Sequence, residues 1–316
     1  MTKIKIIDVT LRDGGYRNNF NFDNHHLDKY VTFMDKLSVD FIEVGYRNGS
    51  FKKRPNIGNT GKCNRDYLVH LKKHFSNSKM AVIFHPHNVE LEELHELHDI
   101  GVDLVRICFP MNNKDLGYKT INEAKRIGLQ VSTNLTRVTQ YDIQDIVKSA
   151  KQCANEGSDI IYLADSNGSL TPQKTECLFS ALSNEISVPL GFHAHNNLDL
   201  AMGNSISAIK GGAEFIDASI MGMGKGSGNL KLEVFLGYLN LINNNRFNLS
   251  EFLEFQEFFA KNIYVSESDQ PNKDLILAAF NLSQDDSIKI GEYSEPRNYI
   301  KNIACYLKTV SQKIAS

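Results

Sequence analysis

The chain has 316 residues, 41% of them hydrophobic and 23% charged, with a formal net charge of -2. This is the composition of an ordinary globular protein, long enough for one large domain with an appendage or for two modest ones. So small a charge offers no long-range attraction to nucleic acid or an anionic membrane surface, so neither partner is expected, and no apolar run approaches the ~18 residues of a membrane span.

Strand-like segments recur along the chain, at 3–10, 41–47, 80–86, 104–110, 130–136, 160–166, 189–195 and 215–221. Helical patterns separate them. In 88–100 the apolar positions Val89, Leu91, Leu94, Leu97 and Ile100 form one stripe, with Asn88 expected as N-cap and Gly101 as the stop. A helix over 139–157 is expected to start at Thr139 and end at Gly157, and 171–185 opens on Thr171-Pro172, a helix-start signature. Strands alternating with helices imply parallel pairing, and eight such units fit a closed (β/α)8 barrel. The first strand runs into LRDGGYRNN, without the G-x-G-x-x-G turn of an open dinucleotide-binding sheet. The barrel is expected over 1–245. A C-terminal helical extension follows over 246–316, with helices at 250–264, 273–283 and 296–315, no core of its own, and packing on the barrel or on a second subunit.

The cysteines Cys63, Cys108, Cys153, Cys177 and Cys305 are odd in number and lack CxxC pairing. That pattern reads as reduced thiols in the cytoplasm rather than a disulfide framework. The N-terminal MTKIKIIDVT enters a strand directly, with no signal-peptide h-region.

In a barrel of this type the reactive groups lie at the C-terminal ends of the strands, and three stretches place unusual chemistry there. Arg12, Asp13, Gly14 and Gly15 close strand one, a charged pair that burial would oblige to find partners. His193 and His195 lie at i and i+2 of strand seven and so project from one face. Two convergent imidazoles with one carboxylate make a ligand set for a divalent metal with open positions. After strand eight, GMGKGSGN (222–229) is a glycine-rich loop whose N–H groups can face an anion, with a helix expected from about Ser227. Strand eight closes against strand one, which would bring Asn229 toward Asp13.

The stretches DVTLRDGG (8–15), IEVGYR (42–47), ADSNG (164–168), HAHNN (193–197) and GKGSGNLKLE (224–233) resemble, in this order, the DRE-TIM metallolyase superfamily. It includes the 4-hydroxy-2-oxoacid aldolases, hydroxymethylglutaryl-CoA lyase, and the isopropylmalate and homocitrate synthases. The resemblance implies Asp13, His193 and His195 as ligands of Mn²⁺ or Mg²⁺, with Asn229 in or beside the coordination shell. It implies that Arg12 stabilises an enolate oxygen and that Glu43 orients Arg12; the other reading of Glu43 is a structural partner for Arg106. YLADSNGSLTP (162–172) is similar to the aldolase version of strand six, in which Ser166 would bind the pyruvate carboxylate. The glycine loop lacks the catalytic cysteine of the acyl-CoA lyases, and the tail is shorter than the C-terminal region of the condensing synthases.

The expected activity is therefore a metal-dependent aldolase acting on a 2-keto acid and an aldehyde through a pyruvate enolate. The alternatives are a condensing enzyme that joins an acyl thioester to a keto acid, and a barrel without catalysis that serves as a binding subunit. One position departs from the aldolases. Where they carry a histidine four residues after the arginine, this chain has Tyr16, which thereby becomes the candidate base; a hydroxide on the metal, His85 and His87 are the others. The segment 48–65 carries Lys52, Lys53, Arg54, Lys62 and Arg65 without an acid, which suits either a lid over an anionic substrate or a solvated loop. Some related aldolases pass a volatile aldehyde to a partner dehydrogenase, so such a partner, like a homo-oligomer, stays open.

Overall fold

The computed structural model describes residues 4–111, 114–265 and 270–315; position 3 of the first expected strand lies outside them. Eight parallel strands close into a barrel in sequence order: β1 (Lys5–Asp8), β2 (Phe41–Tyr46), β3 (Lys79–Phe84), β4 (Leu104–Phe109), β5 (Gln130–Thr136), β6 (Ile160–Asp165), β7 (Leu190–Ala194) and β8 (Ala213–Ala218). β8 pairs with β1 through Ile6↔Ile216 and Asp8↔Ala218, which closes the ring. Around it run α1 (Asn24–Leu37), α2 (Asn59–Lys62), α3 (Arg65–Lys72), α4 (Glu92–Ile100), α5 (Asp115–Ile127), α6 (Ile143–Asn155), α7 (Pro172–Ser183), α8 (Ala201–Lys210) and α9 (Leu232–Leu241). The chain is thus a (β/α)8 barrel with C-terminal helices, as the alternation of patterns implies.

Strand parity divides the core in two. Outward residues such as Ile6, Ile42, Val82 and Val105 pack under the helices. Inward residues fill the lumen, where Ile7, Phe41, Ala81, Leu104, Ile160 and Phe215 make an apolar floor. Two residues further along the same strands the lumen is charged: Glu43, Arg106 and Asp217 are almost wholly buried there. The active end of the barrel rests on this ionic layer.

Several helix boundaries differ from the sequence expectation. α4 starts at Glu92, and Asn88 lies in a short 3₁₀ turn (Pro86–Asn88) instead of capping it. Its side-chain amide donates to the carbonyls of Gly49 and Ser50, so it tethers the loop after β2. Thr139 sits in another 3₁₀ turn, and α6 begins at Ile143. Thr171 does cap α7, accepting from the Lys174 N–H, and Gly101 ends α4 at φ +86°. The helix after the glycine loop starts at Leu232, later than Ser227, because 229–231 first form bridges that pair Asn229 with His195 and Lys231 with Ser219.

The tail is α10 (Leu249–Asn262), α11 (Pro271–Ala279), α12 (Gln284–Ile290) and α13 (Pro296–Ala315). α10 packs on the barrel: Phe255 stacks on Phe33 of α1 at 3.9 Å between ring centroids, and Phe252 and Phe259 are fully buried beside it. The expectation of a tail without its own core is corrected here. Ile276, Leu277, Leu282, Ile290, Tyr299 and Ile303 form a small cluster separate from the barrel's. Its members are drawn from three helices and, at Leu282, the turn between α11 and α12, so no single helical stripe announces it.

Candidate active site

A cleft of about 850 Å³ opens at the C-terminal ends of the strands. Its floor gathers Arg12, Asp13, Tyr16, Ser166, His193 and His195, so the residues singled out in three distant stretches meet in one place. Ligand atoms of Asp13, His193 and His195 all lie within 4.8 Å of one another. The two imidazoles come from β7 and the residue just past it, with ring centroids 5.0 Å apart. Asn229 is drawn in by the bridge between its backbone and that of His195. Gly224 passes between Asn229 and Asp13. A Cβ there would lie 2.3 Å from Asn229 Nδ2 and 2.7 Å from Asp13 Oδ2, so only glycine lets the loop approach this closely.

The second contacts of these side chains set their orientation. His193 Nδ1 is 3.0 Å from Asp217 Oδ2, and His195 Nδ1 is 3.3 Å from the Gly228 carbonyl oxygen. Both partners are acceptors, so each Nδ1 carries the proton and each Nε2 keeps its lone pair for a ligand. Asp13 accepts from Arg12 Nη1 at 2.6 Å and from the Lys225 N–H at 3.0 Å. Burial raises the Asp13 pKa, but Arg12 and the two histidines outweigh it and hold the carboxyl well below the usual range. Burial pushes His195 down to about 4, so its imidazole is neutral. Two imidazoles whose Nδ1 atoms face acceptors, an ionised carboxylate, and the buried Asn229 Oδ1, which has no hydrogen-bond partner, make a donor set that fits a divalent cation.

Arg12 is 4% exposed and locked on two sides. Its Nε donates to Glu43 Oε2 at 2.6 Å, its Nη1 to Asp13, and its Nη2 lies 3.9 Å from Asp217 Oδ2. Glu43 also accepts from Arg106 Nη1 at 2.9 Å through its other oxygen, and Arg106 Nη2 donates to Asp217 at 2.8 Å. The two readings of Glu43 thus hold together in one buried network. The sequence reasoning missed Asp217, which bonds Arg106 and His193 at once. Its signal was present: an acid at an inward position of β8, two residues after Phe215 of the lumen floor.

Tyr16 is half-buried beside the cleft, its hydroxyl 3.5 Å from that of Tyr46. Arg54 and Lys225 lie over its ring at 4.9 and 5.8 Å from the centroid. Burial holds the Tyr46 phenol well above its ordinary pKa. His85 also lines the cleft, stacked on Tyr46, with Nδ1 2.9 Å from the Cys108 carbonyl oxygen and a pKa that burial lowers to about 4. His87 stacks on His85 and does not line the cleft. Ser166 Oγ accepts from the Arg137 N–H at 3.1 Å, which leaves its hydroxyl proton to donate.

The cleft's outer wall comes from two further segments. The loop after β2 contributes Phe51, Lys52 and Arg54, and α12 contributes Asp285 and Ile288. Asp285 joins them: Lys52 Nζ is 2.5 Å from its Oδ1, and Arg137 Nη2 donates to its Oδ2. These two cations, the lysine bond first, hold the Asp285 carboxyl down to about 2.

A closed parallel barrel with a buried carboxylate, two histidines and an arginine at its C-terminal mouth defines an enzyme of the DRE-TIM class. The HMGL-like family model matches residues 3–259, and the chain belongs to that family. It is similar to the 4-hydroxy-2-oxovalerate aldolase of Carboxydothermus hydrogenoformans, 32% identical over 237 residues, 75% of this chain and 70% of the relative. The enzyme of the same name from Geobacillus genomosp. 3 is 33% identical over the same shares. Among solved structures, the N-terminal domain of a provisionally named aldolase from Bacteroides vulgatus superposes with a TM-score of 0.80 at 30% identity, covering 92% of this chain and 97% of that one. No helix among the described residues is long and apolar enough to cross a membrane.

Proposed function

We propose that the chain is a divalent-metal-dependent aldolase that forms or cleaves a carbon–carbon bond in a 4-hydroxy-2-oxo acid by way of a pyruvate enolate. The observation that carries this reading is the convergence of Asp13, His193 and His195 beside the locked guanidinium of Arg12. The names of the relatives point the same way. A divalent ion held by Asp13, His193 and His195, with Asn229 beside them, supplies Lewis acidity at the oxygens of the keto acid. The mixed imidazole and oxygen donors accommodate Mn²⁺ more readily than the harder Mg²⁺.

The protein's own groups do the rest. Arg12 cannot swing away, because Glu43 and Asp13 hold it, so it presents a fixed positive charge where negative charge develops on the enolate oxygen. Ser166 donates its hydroxyl proton to the carboxylate of the keto acid. In cleavage, Tyr16 acts as the phenolate and takes the proton leaving the hydroxyl at carbon four, becoming the phenol; in synthesis the phenol gives that proton to the new alkoxide and returns to the phenolate. A second acceptor is favoured by the hydrogen bond of His85: its Nδ1 donates to a carbonyl, so its Nε2 carries a lone pair. The aldehyde half of the substrate carries an acid group. Among the described residues Arg17 contacts the Gly226 carbonyl, and Arg54 and Lys225 the Tyr16 ring, rather than a carboxylate, and the volume lies near the top of the usual range of about 300–1,000 Å³ for ligand pockets.

The test is deuterium exchange into the pyruvate methyl group, followed by NMR with and without Mn²⁺. Metal-dependent exchange that vanishes in Asp13→Asn supports the reading. A wild-type protein that binds Mn²⁺ and exchanges nothing overturns the pyruvate assignment, and thiol release from an acyl thioester in the presence of a keto acid would move the chain to the condensing enzymes.

A further inference from the structure

Away from the cleft, on the outer ring of helices, a second group of side chains converges. Asp28 lies on α1, His70 on α3, and His74 in the turn that follows it, one helical turn beyond His70. Residues four apart on a helix share a face, and here both imidazoles turn toward α1. His70 Nε2 is 2.7 Å from Asp28 Oδ1 and His74 Nε2 is 3.5 Å from the same oxygen. The rings stand 5.7 Å apart at 64°, and one ligand atom from each residue lies within 4.8 Å of the others. On the far side of His74, Nδ1 is 2.9 Å from the hydroxyl of Thr32, also on α1.

We propose that Asp28, His70 and His74 form an exterior site for a borderline transition ion, Zn²⁺ above all, that straps α1 to α3. The geometry is close to what such an ion requires. Four tetrahedral ligands at about 2.05 Å sit about 3.3 Å from one another. The His74–Asp28 separation already matches that spacing, and the His70–Asp28 pair needs to open by about half an ångström. Two imidazoles and one carboxylate are a zinc-type set, softer than the oxygen-rich cages that hold Mg²⁺ or Ca²⁺. With Nε2 given to the ion, His74 Nδ1 carries the proton and the Thr32 hydroxyl accepts it, the outer contact that fixes a ligating ring. Three protein ligands at a partly exposed position leave the fourth place to water.

The site has a consequence for the cleft. Zinc retained here would raise the metal content of the isolated protein above one ion per chain without any second ion taking part in catalysis.

The experiment is a Zn²⁺ titration of the metal-free full chain by calorimetry, with Co²⁺ absorption as a second readout. Wild type is expected to bind one equivalent more than the His70→Ala/His74→Ala variant, and Zn²⁺ to raise the melting temperature of Asp13→Asn but not of that variant carrying Asp13→Asn as well. The double variant is expected to keep the wild-type Mn²⁺-dependent activity, since neither histidine lines the cleft. Should the double variant fail to fold, Asp28→Asn alone serves, with at least about tenfold weaker binding of the extra equivalent expected. Equal stoichiometry and equal affinity in wild type and a folded variant overturn the proposal.

Discussion

Replacing Asp217 by asparagine isolates the role of the ionic layer beneath Asp13, His193 and His195. Oδ2 of Asp217 accepts from both Arg106 and His193, whereas Oδ1 is buried without a hydrogen-bond partner. An asparagine can therefore set its single oxygen at the Oδ2 position and its amide at the other, so the shape survives and the charge is lost. Two costs follow. Arg106 is fully buried and loses one of its two carboxylate partners. Breaking a buried pair costs about 3–5 kcal/mol, and because Glu43 still holds Nη1, the lower end, about 3 kcal/mol of folding stability, is expected. His193 keeps a neutral acceptor in place of an anionic one, and loss of such an outer contact weakens metal binding about 10–100-fold, or about 1.4–2.7 kcal/mol. Urea unfolding in EDTA reads the first cost, and Mn²⁺ titration of the folded variant reads the second. A folded Asp217→Asn protein with wild-type Mn²⁺ affinity would refute the claim that Asp217 orients His193.

Other substitutions test the remaining assignments. Arg12→Gln removes a cation 2.6 Å from Asp13, so Mn²⁺ affinity is expected to hold or rise while turnover falls about 10²–10³-fold; a variant that loses the metal instead would make Arg12 structural. Tyr16→Phe is expected to slow aldol cleavage about 10²–10⁴-fold while pyruvate methyl exchange persists, and an unaffected Tyr16→Phe beside a crippled His85→Gln would transfer the proton to His85. Burial raises Asp8 to about 6, against the lowering effect of its bonds from Thr10 and Tyr30. An acid with a raised folded pKa takes up a proton on folding, so its contribution is most favourable below pH ~4 and is lost as pH rises to ~6, about 3 kcal/mol in all. The stability gap between wild type and Asp8→Asn in urea should therefore shift by that order across this window, and a gap independent of pH would show that Asp8 is not the titrating group. Asp285→Asn frees Lys52 and Arg137 at the cleft wall, and is expected to lower KM for an aldehyde bearing an acid group more than for a neutral one; equal effects on both would separate these ion pairs from substrate choice.

How much of this was legible in the sequence follows from how local each signal is. The histidine pair could be read because strand parity alone puts His193 and His195 on one face, and eight alternating units sufficed for the barrel. Asn88 was misread because a cap signal and a loop tether look alike until the loop's position is known; here the loop after β2 folds back so that Gly49 and Ser50 claim its amide. Asp285 was invisible, since its partner Arg137 is 148 residues away and the apolar positions of the tail are split among three helices. Asp217 was passed over for a different reason: a single acid in FIDAS has no local partner, and only closure of the barrel sets it over Arg106 and against His193. Glu43 is the more instructive case, because the sequence posed two partners as alternatives. A carboxylate has two oxygens, and the barrel uses both, Oε2 for Arg12 and Oε1 for Arg106. Arg106 then reaches Asp217, and Asp217 reaches His193. The Arg12 guanidinium and the His193 imidazole are therefore held by one continuous chain of buried charges, so a change at any link is expected to move both.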